Sequence, residues 1–245
     1  MLEKDTIITY NNPKSPVSEA YRVLRTNIQF LSVDKPLKTI LVTSSGPKEG
    51  KTTTIANLAV ILAQGGNKVL LIDTDLRKPM LHKVFLLLND RGLTNLLTLQ
   101  KDAMSFIQHD VVKNLDILTS GRIPPNPSEL LSSNAMKSFL ENVKNKYDIV
   151  LMDSPPVGGI TDASIISTYA DGTILVVKSG KTEIDAVKIA REILDNVNAN
   201  IIGVVLNHLD KKAVGNNYYP YYYYNDDEEK TKKLRKKTKV DRRQK

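Results

Sequence analysis

Short apolar runs alternate with stretches of helical periodicity along most of this chain. The runs are 39–43 (TILVT), 68–72 (KVLLI), 115–119 (LDILT), 147–152 (YDIVLM), 172–177 (GTILVV) and 200–206 (NIIGVVL). Each is rich in Val, Ile and Leu, the pattern of strands buried on both faces. Residues 51–64, 128–146 and 183–197 carry apolar positions at helical spacing between them. Such alternation predicts βαβ units and an α/β, doubly wound, mostly parallel sheet. Ahead of the first strand, Ser15 followed by Pro16 reads as an N-cap with proline at the first helical position. Val17, Ala20, Tyr21, Leu24, Ile28 and Leu31 then recur at helical spacing, so 15–31 is predicted to be an amphipathic helix burying that stripe. Residues 1–14 read as an irregular segment. Beyond Leu206 the pattern stops: 216–229 reads NNYYPYYYYNDDEE, too poor in aliphatic residues to build a core. The expected division is an N-terminal segment (1–14), one domain (15–210) and a flexible, Tyr-rich and basic tail (211–245).

Composition narrows the chemistry. The 245 residues contain no cysteine. That excludes disulfides, Cys-ligated zinc, iron–sulfur clusters on Cys and a Cys nucleophile. The three histidines, His82, His109 and His208, are far apart in sequence, so no His-based metal site is expected. No apolar run approaches the ~18 residues that cross a bilayer, and MLEKDTIITY does not read as a signal peptide. The net charge of +8 is unevenly placed. Residues 230–245 hold ten basic residues and one acid, so the rest of the chain is close to neutral. The basic character belongs to the tail, and no specific nucleic-acid site is expected in the fold.

The strongest chemical signal follows the first strand. Ser45-Gly46-Pro47-Lys48-Glu49-Gly50-Lys51-Thr52 meets the G-x-x-x-x-G-K-[ST] pattern except at its first position, where Ser45 stands for glycine. In a strand–loop–helix context this is a phosphate-binding P-loop, and the domain is expected to have the P-loop NTPase fold. The loop residues Gly46, Pro47, Lys48, Glu49, Gly50 and Thr53 would surround the phosphates of ATP, with the backbone N–H groups of all but Pro47 available to wrap them. Lys51 would reach the β- and γ-phosphates and Thr52 would hold Mg²⁺. The second run ends in Asp73-Thr74-Asp75-Leu76-Arg77, and 147–152 ends in Asp153-Ser154-Pro155-Pro156. Parallel strands open their C-terminal ends on one edge, so Asp73, Asp75 and Asp153 should converge on the P-loop. Asp153 stands where a strand-end carboxylate supports Mg²⁺, and a further carboxylate can receive a proton from a nucleophile. Arg77 reads equally as a support for phosphoryl charge and as a surface ion pair.

VLLIDTDLRKP and IVLMDSPP resemble the nucleotide motifs of the bacterial tyrosine kinases of capsule and exopolysaccharide operons. SEAYRVLRTNIQF, GLTNLL (92–97), SGRIPPNPSELLSS (120–133) and the terminal tyrosines resemble segments of the same family, and the likeness extends to about residue 225. The resemblance implies a protein-tyrosine kinase that transfers phosphate from ATP to its own tail, at Tyr218, Tyr219, Tyr221, Tyr222, Tyr223 and Tyr224. It implies Lys51 as the phosphate-binding lysine, Thr52, Asp75 and Asp153 around Mg²⁺, and Asp73 facing the acceptor hydroxyl. A phenol ionises near pH 10, so positioning it counts for more than a strong base. Asn207, after the last strand, falls where related proteins contact adenine. Glu19, Arg22 and Arg25 resemble a Glu-x-x-Arg-x-x-Arg helix that pairs subunits in a ring, in which each tail enters a neighbour's site. A transmembrane adaptor, a cognate phosphotyrosine phosphatase, a cytoplasmic location at the inner face of the membrane and control of polysaccharide synthesis and export are implied in the same way.

Two rivals share the P-loop. Positioning ATPases of the ParA/MinD type carry a signature lysine where this chain has Gly46, and the basic arm is too polar for a membrane helix. Against a non-catalytic nucleotide-dependent binding protein, with the tail as a nucleic-acid or lipid arm, stand the intact Lys51, Thr52 and Asp153.

Overall fold

The computed structural model describes residues 6–33, 35–99 and 103–209. In chain order the elements are α1 (Ile8–Asn11), α2 (Pro16–Leu31), β1 (Thr39–Ser44), α3 (Lys51–Gln64), β2 (Val69–Asp73), α4 (Leu81–Val84), α5 (Leu93–Leu99), a 3₁₀ turn, β3 (Gln108–Val112), β4 (Leu115–Leu118), α6 (Pro127–Ser132), α7 (Asn134–Lys144), β5 (Ile149–Asp153), α8 (Asp162–Ser167), β6 (Gly172–Lys178), α9 (Ile184–Asn196) and β7 (Ile201–Asn207). The strands form one sheet in the order β3-β4-β2-β5-β1-β6-β7. All pairings are parallel except β3 with β4. Helices pack on both faces, so β1, β2 and β4 are buried throughout, as their unbroken apolar runs require.

All six apolar runs form strands. β3 is the addition: its sequence QHDVV is polar and part-exposed, without the pattern of a buried strand. The stretch 128–146 is two helices, not one. Ser133 breaks it with extended backbone (φ −68, ψ 156) and caps α7 by accepting a hydrogen bond from the Met136 amide at 3.2 Å.

The N-terminal segment is also more ordered than its sequence suggests. Ile7 is fully buried, and α1 lies within the stretch expected to be irregular. The reason is Asn57, buried in α3. Its Oδ1 accepts from the Thr9 amide (3.0 Å) and the Thr9 hydroxyl (2.9 Å), and its Nδ2 donates to the Thr6 and Thr53 carbonyls. The buried face of α2 also differs from the expected one. Ser18 and Ile28 are buried and Tyr21 and Leu24 half-buried, while Val17, Ala20 and Leu31 face outward. Ser18 is inside because its hydroxyl donates to the Asn12 carbonyl at 2.7 Å, satisfying a polar group that otherwise favours solvent.

Asn57→Ala leaves the Thr9 amide and hydroxyl without their acceptor in a buried place. A loss of about 2–3 kcal/mol in unfolding free energy is expected by urea denaturation, with 6–11 becoming the first segment to exchange its amide hydrogens.

Candidate active site

The site forms because three parallel strands end side by side. Asp153 at the end of β5 is in register with Asp73 at the end of β2 and with Val42 of β1. Thr74 locks the two carboxylate-bearing ends together: its hydroxyl (2.6 Å) and amide (2.8 Å) both donate to the Asp153 carbonyl. Beyond Asp153 the chain folds back on β1, where the Thr43 hydroxyl donates to the Pro155 carbonyl and the Val157 amide to Ser44.

The P-loop runs from Ser45 to the start of α3 at Lys51. Gly50 has φ +95, and a Cβ there would stand 2.0 Å from Asn207 Nδ2, so only glycine fits. Ser45, in place of the usual glycine, has a partner. Glu49 turns its buried carboxylate back under the loop and accepts from the Ser45 amide (3.0 Å) and hydroxyl (2.9 Å). Its Oε1 also accepts from the Thr182 hydroxyl at 2.6 Å, tying the loop to the turn after β6. Asn207 adds a second tie, donating to the Glu49 carbonyl at 3.0 Å. Two residues expected among those that contact the nucleotide therefore use their side chains to hold the loop, leaving the backbone amides for phosphate.

The carboxylates differ in environment. Thr52 Oγ1 donates to Asp153 Oδ2 at 2.7 Å, while Asp153 Oδ1 is buried with no hydrogen-bond partner. Burial, opposed by the Lys51 ammonium and the Thr52 hydrogen bond, moves the Asp153 carboxyl up to about 6. Asp75 lies 3.6 Å from Lys51 Nζ and accepts from the Lys78 amide at 2.9 Å. Asp73, expected to face the acceptor hydroxyl, is fully buried. One of its oxygens accepts from the Met80 and Leu81 amides (3.0 Å each) and the other from the Asp75 amide (3.2 Å). Burial and then the neighbouring Asp153 push its carboxyl well above the ordinary range. Asp73 thus shapes the loop that carries Asp75.

Arg77 resolves as an ion pair. Its Nε and Nη2 meet both oxygens of Asp162 (2.8 and 3.2 Å), a fully buried carboxylate at the start of α8 that also accepts from the Ser128 hydroxyl. Asp162, Thr74 and Thr182 were not legible as site residues. Their partners lie 79 to 133 residues away in sequence; Thr74 falls inside the DTDLR stretch, but nothing local marks its hydroxyl as the tie to β5. On α2, Arg22 pairs with Glu19 of the same helix at 2.7 Å, and Arg25 donates to the Ile61 carbonyl near the end of α3. The six tail tyrosines lie outside the described residues.

The donor set fits Mg²⁺ as an ion completed by a nucleotide. The Thr52 hydroxyl and the Asp153 carboxylate, with one free buried oxygen, stand beside Lys51. Among the described residues no cluster of three or more His, Asp or Glu side chains is arranged to hold a metal unaided.

A family described as an AAA domain matches residues 37–202. Tyrosine-protein kinase YwqD of Bacillus subtilis (strain 168) is 48% identical over 201 residues, 82% of this chain and 85% of that protein. Among solved structures, the chimerical protein CapA2B2 superposes with a TM-score of 0.81 at 40% identity, covering 86% of this chain and 93% of that one. The kinase domain of Escherichia coli tyrosine kinase ETK superposes with a TM-score of 0.81 at 33% identity, covering 84% and 81%.

The Asp153 shift gives a signed prediction for the nucleotide-free protein. A carboxyl that ionises near 4 unfolded and near 6 folded costs nothing below pH 4, and destabilises the fold increasingly as pH rises through 6. Between pH 4 and pH 8 the wild type should lose roughly 2 kcal/mol more unfolding free energy than Asp153→Asn. Denaturant titrations of both proteins at the two pH values measure this difference, and equal changes would refute it.

Proposed function

This chain belongs to the bacterial tyrosine-protein kinases, and on that premise we propose that it phosphorylates its own C-terminal tyrosines from Mg·ATP, in trans within a ring of copies. As a P-loop tyrosine kinase it binds ATP and transfers phosphate to a tyrosine hydroxyl. The observation that carries the reading is Asp153: Thr52 donates to its Oδ2, its Oδ1 is buried with no hydrogen-bond partner, and the Lys51 ammonium acts on the same carboxylate. A bound nucleotide lays its β- and γ-phosphates against the loop amides and the Lys51 ammonium. Thr52 and Asp153 are the residues that would hold Mg²⁺, with Asp75 supporting them. The ion, when bound, neutralises charge on the β- and γ-oxygens.

The acceptor phenol attacks the γ-phosphorus. The new bond is tyrosine oxygen to phosphorus, the broken one joins the γ-phosphorus to the β–γ bridging oxygen, and ADP leaves. The phenolic proton passes to a carboxylate at the loop. Asp75 suits this better than Asp73, whose two oxygens are already taken by backbone amides. Asp73 acts by placing Asp75.

The acceptors are Tyr218, Tyr219, Tyr221, Tyr222, Tyr223 and Tyr224. β7 ends at Asn207, whose side chain is bonded to the P-loop, so the tail departs from the nucleotide edge. Ring formation through α2 is supported by the apolar surface it leaves in solvent, with Val17, Val23, Phe30 and Leu31 about half exposed or more beside the Glu19–Arg22 pair. Among the described residues no helix is long and apolar enough to cross a membrane. The proposal therefore includes a transmembrane adaptor that recruits and activates the kinase at the inner face of the membrane, a phosphatase that reverses the modification, and control of capsular or exopolysaccharide synthesis as the outcome. A positioning ATPase is the weaker reading, because Gly46 occupies the place of its signature lysine.

Purified full-length chain incubated with Mg·ATP should gain phosphotyrosine on peptides spanning 218–224, seen by mass spectrometry. Lys51→Met should lower the incorporation by at least ~100-fold, the scale of losing a charge contact to the transferring phosphate. Replacing all six tyrosines by Phe should abolish it while ATP binding persists. ATP hydrolysis without phosphotyrosine, with or without an adaptor's cytoplasmic segment, would overturn the proposal.

A further inference from the structure

The segment that follows Asp75 lines a cavity of about 530 Å³, a size that takes a small ligand or several side chains. Lys78, Met80, His82, Lys83, Arg122 and Ile123 are among its walls, and no carboxylate lines it. Lys78, Lys83 and Arg122 are exposed and take part in none of the ion pairs among the described residues. Arg77, also on the lining, already has its guanidinium on Asp162 and Ser128. The His82 Nδ1 atom is buried with no hydrogen-bond partner. Met80 and Ile123 add apolar surface that is 40% and 64% exposed.

The walls are fixed in place. Asn89 Oδ1 accepts from the Gly121 amide (2.9 Å) and the Ser120 hydroxyl (3.2 Å), and its Nδ2 donates to the Gly121 carbonyl. That holds the turn that presents Arg122 and Ile123. On the other side, the amide of Lys78 donates to Asp75. One wall of the cavity is thus continuous with the loop at which the acceptor hydroxyl must arrive.

Several unpaired cations gathered around exposed apolar side chains repel one another, and an occupant that is anionic and partly apolar relieves that repulsion. The chain carries such a segment. Its six tail tyrosines are followed directly by Asn225, Asp226, Asp227, Glu228 and Glu229. We propose that this cavity is the docking subsite for the acidic run 226–229 of a second copy's tail, and that it sets which tyrosine reaches Asp75. Tyr224 stands two residues before Asp226 and Tyr218 eight. Extended, those spans are about 7 Å and about 27 Å, so a run docked in one register favours the tyrosine whose reach matches the distance to Asp75. The basic run that starts at Lys230 is repelled by the same cations, which bounds the docked segment at Glu229. This inference rests on tail autophosphorylation, and gives that site a substrate class: tyrosines with acids on their C-terminal side.

The test is a charge exchange in the full-length protein, read as the initial rate of tail phosphotyrosine formation. Lys83→Glu combined with Arg122→Glu should slow it roughly 10-fold, as loss of a complementary charge patch does, with affinity for a fluorescent ATP analogue unchanged. Reversing the tail with Asp226→Lys, Asp227→Lys, Glu228→Lys and Glu229→Lys should slow it to a similar degree. Joining the two reversals in one chain should bring the rate back to within a few-fold of wild type. An unaltered rate in the cavity variant, or no recovery in the combined one, overturns the docking subsite while leaving the kinase reading intact. Absence of tail phosphotyrosine in the wild type overturns the acceptor assignment itself, and the docking subsite with it.

Discussion

The parallel register of β2 and β5 imposes the constraint from which the site follows: two aspartates must end their strands next to each other inside the protein. Asp73 and Asp153 are paired in that register and fully buried, with Asp75 two residues on. Like charges brought so close in a poorly solvated place oppose each other's ionisation. The protein answers in different ways at each position. Asp73 is surrounded by backbone amides, Asp75 faces Lys51, and Asp153 keeps only the Thr52 hydroxyl and an oxygen with no partner. The charge left over at Asp153 is what a cation arriving with a nucleotide would compensate.

The loop around the phosphates depends on the same logic of committed side chains. Glu49 and Asn207 spend their polar groups on Ser45, on Thr182 and on the loop backbone, so the loop is held in its conformation by its own side chains. Preorganised donors on such a loop favour developing charge without reorganising at the moment of transfer. Thr182 and Asn207 stand in the turn after β6 and at the end of β7, so this edge of the sheet is tied directly to the P-loop.

Much of this was legible in the sequence, for physical reasons. Strands buried on both faces must be apolar throughout, which is why β1, β2, β4, β5 and β6 stood out; β7 is an edge strand whose apolar run is only partly buried, with Val204 and Leu206 exposed. β3 pairs only along one edge, and half-exposed QHDVV carries no such imprint. The P-loop and the strand-end aspartates were visible because their chemistry is local in sequence. The division of work among them was not, since Asp73 is defined by amides at 80 and 81, and Arg77 by a carboxylate at 162. The order of 6–11 was not legible because its partner, Asn57, lies on another helix, and the burial of Ser18 on α2 depends on the Asn12 carbonyl of the N-terminal segment.

The most direct measurement is the affinity of the full-length protein for ATP with and without Mg²⁺, compared between wild type and Asp153→Asn. If the unpartnered Asp153 oxygen completes a nucleotide-borne cation site, Mg²⁺ tightens binding to the wild type by roughly 10-fold or more, the scale of a hydrogen-bonded charge contact, and loses most of that effect in the variant. A Mg²⁺ dependence that survives unchanged in Asp153→Asn, or is absent from the wild type, contradicts the account.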